Sequence, residues 1–121
     1  MFLATTNKTQ RLLHLSYIQN VTVAEMERGY EELKPILAEF TNGFRLLADL
    51  GRVGSVDLAC VDVIGRTMEL MDQHGLELVV RVVPDPAKDF GFKIIGIFHY
   101  PSRPRIISCE TMEEAARALG L

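Results

Sequence analysis

Strand-like and helix-like runs alternate along this 121-residue chain. That alternation predicts an α/β fold: a mixed, partly parallel sheet of four or five strands with about four helices packed on it. Two further observations support the prediction. Thr-x-x-Glu capping boxes open two of the helical runs, at Thr22 to Glu25 and Thr111 to Glu114. Glycines close two of them, at Asn42-Gly43 and at Gly75. The length suits a single domain over residues 1–121 with one core.

Each element has its own signal. Arg11 to Ile18 reads as a strand with Leu13, Leu15 and Tyr17 on one face. Phe2 to Thr5 reads as a short partner strand across a turn at Asn7 and Lys8. After Thr22, the residues Val23, Met26, Tyr30, Leu33, Leu37 and Phe40 recur at helical spacing and form one apolar stripe. Pro35 lacks the N–H that a helix interior uses, so it is expected to kink this helix or mark a break in it. Phe44 to Asp49 is a largely apolar strand, as expected when both faces are covered.

Leu58 to His74 reads as the second helix, with Leu58, Val61, Ile64, Met68 and Met71 inward. Glu77 to Val83 is mostly β-branched and strand-like, and Pro84 and Pro86 end it. Asp89 is placed to cap a short helix that ends near Phe98. Pro101 and Pro104 bracket a loop from Tyr100. Arg105 to Cys109 is a short strand, and the last helix directs Met112, Ala115, Ala116 and Leu119 inward. No repeat, linker or low-complexity stretch interrupts the order.

Composition narrows the function. Thirteen Lys and Arg against sixteen Asp and Glu leave a net charge of -3, which excludes a nucleic-acid binder that relies on overall positive charge. No apolar run reaches the roughly 18 residues of a membrane span. The segment MFLATTNK shows no secretory pattern. Cys60 and Cys109 form neither CxxC nor a metal-ligand cluster, so a reducing, cytoplasmic setting is expected.

Chemistry-bearing patterns are sparse. His14, His74 and His99 share no helical ligand spacing, so no metal is expected. His74 suits a helix C-terminus through the dipole. Cys60 lies near the start of the second helix, where it reads either as a dipole-activated thiol or, more simply, as a small buried residue. There is no G-x-S-x-G elbow, and Gly51-Arg52-Val53-Gly54 completes neither a dinucleotide fingerprint nor a phosphate loop. No cofactor is implied. Lys88, Lys93, Arg103 and Arg105 form a modest basic cluster, read first as solvated surface and second as an anion or lipid-headgroup site.

The richest segment is Asp49-Leu50-Gly51-Arg52-Val53-Gly54-Ser55-Val56-Asp57-Leu58-Ala59-Cys60. It joins a buried strand to a helix, where open α/β sheets place their sites. Asp57 is positioned as the helix N-cap. Asp49, Leu50, Val53, Val56 and Asp57 fit the frame D-L-S-x-V-x-x-I-D-S-S-G-L. On these residues the chain resembles the STAS domain, the fold of anti-sigma factor antagonists and of the cytoplasmic tails of sulfate transporters. Leu15 to Leu33 resembles the family's first strand and helix, and the element order fits from about residue 10 onward.

The resemblance implies a bacterial regulator of the sporulation anti-anti-sigma type. Its partner would be a regulatory protein, an anti-sigma factor or a kinase-like one. In regulatory members the serine directly after the second aspartate is phosphorylated by that partner. Here the position is Leu58, with Ala59 and Cys60 after it, so the usual phospho-switch does not carry over. Ser55, upstream in the same loop, is an alternative acceptor.

Three functions follow. The first is a phosphorylation-independent binding module whose surface is Arg52, Gly54, Ser55, Asp57, Leu58 and Cys60. Leu58 is there either an exposed apolar anchor or a core residue. The second is a carrier or sensor of a small apolar or lipid-like ligand, similar to the Sec14 type. Phe90, Phe92, Ile95 and Phe98 would supply that ligand surface or a homodimer contact, because this helix is apolar on more than one face. The third is an enzyme, for which no acid, base and nucleophile can be grouped.

Overall fold

The computed structural model describes the backbone of residues 1–121 and all side chains except those of Ser55 and Phe90. Two strands open the chain, β1 (Phe2–Asn7) and β2 (Leu12–Tyr17), followed by β3 (Gln19–Val21) and α1 (Val23–Ala38). Then come β4 (Phe44–Asp49), β5 (Val53–Val56), one 3-10 turn (Leu58–Cys60) and α2 (Val61–Gln73). The rest is β6 (Leu76–Val82), α3 (Pro86–His99), β7 (Arg105–Cys109) and α4 (Met112–Leu119). Five strands form one mixed sheet in the order β1-β2-β4-β6-β7, antiparallel only between β1 and β2. This is the expected α/β architecture.

Strand alternation assigns two faces. Leu13, Leu46 and Val79 lie in register on one face, and Leu47 and Val80 on the other. The first face packs against α1 through Met26, Leu33 and Leu37 and against α2 through Val63, Ile64, Met68 and Met71. Tyr100, Phe92 and Ile95 bring α3 to the same side. The second face meets α4, through Ala115 and Leu119. Leu13, Leu33, Leu37 and Phe44 are wholly enclosed.

Local signals shaped the ends as expected. Thr22 accepts from the Glu25 N–H at 3.1 Å, and Thr111 from the Glu114 N–H at 3.2 Å. Gly75, at φ 86°, follows the His74 cap of α2 as expected. Gly43, at φ 84°, does not close α1, which already ends at Ala38 with Glu39 as its cap; it lies in the turn just before β4. Other expectations are corrected. Helix α1 runs unbroken through Pro35, which is exposed near its C-terminal end. The cap of α3 is Asp85, with Pro86 in the first turn, and Asp89 lies inside the helix. Met112 is exposed, because α4 turns only Ala115 and Leu119 fully inward.

One feature of the fold escaped the sequence reading altogether. β3 and β5 pair in parallel as a separate two-stranded ribbon, Gln19 opposite Val53 and Val21 opposite Val56. The ribbon positions the loop that carries the site.

Candidate functional site

The loop after β4 is held from several sides. The Asp49 carboxylate accepts from the Gly51 N–H at 3.0 Å and turns the chain. Leu50 and Val53 bury themselves with Val83. Gly54 lies against the β3 backbone: a Cβ there would stand 2.5 Å from Asn20 Oδ1 and 3.3 Å from the Gln19 carbonyl carbon. Glycine is therefore required for the ribbon to close. From α3, Lys88 Nζ donates to the Val53 and Gly54 carbonyls at 3.1 and 2.7 Å. A lysine read as solvated surface is thus a strut between α3 and the loop.

Asp57 caps the 3-10 turn, accepting from the Ala59 N–H at 3.3 Å. Capping is the role expected of it, though the α-helix itself starts only at Val61. The Leu58 side chain points away from the core and is 87% exposed, which corrects its placement on the inner helix face. Arg52 and Asp57 are also exposed, and Gly54 is half-buried. Cys60 is 0% exposed, its Sγ 3.7 Å from the Val21 carbonyl oxygen. Burial, and then the Asp57 carboxylate, push its thiol up, so it is neither an activated nucleophile nor a contact residue. The Ser55 side chain lies outside the described residues.

The α3 candidates divide. Phe92 and Ile95 pack inward, whereas Ile97 and Phe98 are each 76% exposed. Phe92 and Ile95 therefore do not share one surface with Phe98, and the Phe90 side chain lies outside the described residues. Among the described residues, no three His, Cys, Asp or Glu side chains come together to hold a metal. No helix is long and apolar enough to cross a membrane.

Beneath α3 lies a cavity of ≈ 60 Å³, walled by residues such as Leu15, Leu46, Ile64 and Val79. Tyr17, Arg81 and Tyr100 also line it. Arg81 is 2% exposed, donates to Asp89 at 3.2 Å and stacks 5.5 Å from the Phe92 ring centroid. Asp89 also accepts from the Ser108 hydroxyl at 2.8 Å and pairs with Lys93 at 3.1 Å. Burial raises the Asp89 pKa, but the bonds from Ser108, Lys93 and Arg81 outweigh it and hold the carboxyl below its ordinary value. This cluster has almost no local signature in the sequence. Its one signal was an arginine on the inward face of a β-branched strand, and placing Asp89 at a helix cap concealed the partner.

No family model matches the sequence, and no curated relative does. Solved structures do match. The chain is similar to an uncharacterized protein of the DUF3478 family with a SpoIIAA-like fold from Shewanella loihica, at 13% identity and TM-score 0.72, covering 98% of this chain and 92% of that one. It is similar to the anti-sigma factor antagonist SpoIIAA in its unphosphorylated form, at 13% identity and TM-score 0.67, with both chains covered in full. It is also similar to the Bacillus cell fate determinant SpoIIAA in its phosphorylated form, at 14% identity and TM-score 0.67, over 98% of this chain and 99% of that one. The fold is therefore STAS-like, as the Asp49 to Asp57 frame implied.

Proposed function

We propose that this protein is a non-enzymatic regulatory module that binds a protein partner, in the manner of an anti-sigma factor antagonist. The observation that carries the reading is Leu58. An 87% exposed leucine stands where the family's loop presents its serine, directly after a capping aspartate at the head of α2. Val61, 37% exposed, extends the apolar surface along the helix. Contiguous apolar side chains in water, rather than single ones, mark contact surfaces. Arg52 and Asp57 give this anchor a charged rim. A leucine carries no hydroxyl, so engagement at this position is independent of phosphorylation there.

The test is capture from the native host's lysate by tagged protein, run beside Leu58→Asp. Because Leu58 is exposed, the variant should keep its fold and its unfolding free energy within about 0.5 kcal/mol. Loss of one regulatory partner by the folded variant supports the reading. Equal capture by both proteins removes Leu58 from the interface and sinks it.

A further inference from the structure

The polar end of the cavity under α3 has more donors than acceptors. A guanidinium carries five N–H donors, and Arg81 directs only one nitrogen, Nη1, to Asp89. That carboxylate is already shared with Ser108 and with Lys93, which is 56% exposed, so Arg81 is the one enclosed cation of the cluster. Tyr100, 4% exposed, and Tyr17 line the same cavity, and among the described residues neither phenol has a hydrogen-bond partner. Among the described residues only Glu25 Oε2 is a wholly buried side-chain polar atom without a partner, so these groups are not sealed away and remain available to an occupant of the cavity they line.

The walls specify the rest of the occupant. In sheet register, Ala48 sits beside Arg81, and its small side chain leaves room there. At ≈ 60 Å³ the cavity has room for a small polar group such as a carboxylate, since about 10–15 Å³ of such space already admits a water. Val56, Ile64 and Phe92 line both the cavity and a shallow apolar groove between α2 and α3. Val61, Gly91 and Ile95 continue that groove, and a side chain added at Gly91 would meet open space.

We propose that this pocket binds a straight-chain monocarboxylate. The carboxylate is held by Arg81, Tyr17 and Tyr100, and the alkyl chain runs past Phe92 into the groove between α2 and α3. Binding gives Arg81 a second carboxylate beside Asp89. Buried ions are tolerated when paired and hydrogen-bonded in this way.

The test titrates octanoate into the full chain by calorimetry, with octanol, acetate and inorganic phosphate as comparisons. Octanoate is expected to saturate one site, with the other three at least about tenfold weaker. Arg81→Met would strip Asp89 of a buried partner and could unfold the protein. The Tyr17→Phe, Tyr100→Phe double variant keeps the ring volumes and should weaken octanoate by about tenfold. Octanol binding as tightly as octanoate overturns the carboxylate site. Phosphate or acetate binding as tightly overturns the alkyl channel. Octanoate that does not saturate, or that ignores the double variant, overturns the pocket.

Discussion

Asp89 shows how much one side chain can be asked to hold. Its carboxyl lies below the ordinary value of 3.8, because bonds from Ser108, Lys93 and Arg81 outweigh the desolvation of its burial. A carboxylate depressed in the fold stabilises it above the unfolded pKa, and that contribution disappears as the pH falls through the folded one. The difference in unfolding free energy between wild type and Asp89→Asn is thus expected to stay constant above about pH 5 and to shrink in more acid solution. Urea titrations across that range check it, and a difference independent of pH would refute it. At this scale the sequence was legible where the partner was near in the chain. Thr22, Asp57 and Thr111 bond to N–H groups two or three residues away, so their types and spacing suffice. The Arg81 and Asp89 pair crosses from a strand to a helix, and Ser108 reaches Asp89 from another strand. No local spacing encodes such a cluster.

Helices carry the next set of consequences. α1 tolerates Pro35 because the residue is exposed in the last turns, where the missing N–H and the ring disturb no packing. Pro35→Ala restores a helix bond and should raise stability by about 1 kcal/mol or more, read from thermal unfolding. An unchanged or lower midpoint would show that the proline is matched to its site. α3 is held by clasps at both ends: Lys88 on the β5 carbonyls near its start, and His99 on Glu69 at 2.8 Å at its close. The His99 ring lies over Gly65 of α2, where a Cβ would approach Nε2 to 2.7 Å. Gly65→Ala therefore has to displace His99 from Glu69, at a cost of about 1–3 kcal/mol. Amide exchange should then quicken in the C-terminal half of α3 before it does in α1. The major helices and strands were readable from apolar period and glycine stops. The β3 and β5 ribbon was not, because strands of three and four residues carry too few positions to show alternation. The site loop was found as a place, but its exposed and buried members were not separable. Leu58 and Cys60 are both apolar in character and two positions apart, and only the 3-10 turn decides which faces water.

At the scale of the molecule, the core can be probed through its phenols. Burial, and then Cys60, push Tyr17 up to about 12 from 10.0, and burial raises Tyr100 as well against a lowering by Arg81. An acid whose pKa is raised in the fold costs stability once the unfolded chain ionises. Stability is therefore expected to fall as the pH rises from 10.0 towards about 12, and both phenols should ionise together with loss of circular dichroism. Phenolate absorbance that develops fully near pH 10 in a folded protein would contradict the burial of Tyr100 and the partly buried place of Tyr17.

The strand order has a consequence for how the chain can be made. From β2 onward, each strand of the main sheet is laid against the edge left by the one before it: β4 on β2, β6 on β4, β7 on β6. No later strand has to be threaded between two that are already paired. A polypeptide leaving the ribosome amino end first can add each layer as it emerges, with the growing edge always the newest strand and the next helix arriving to cover it.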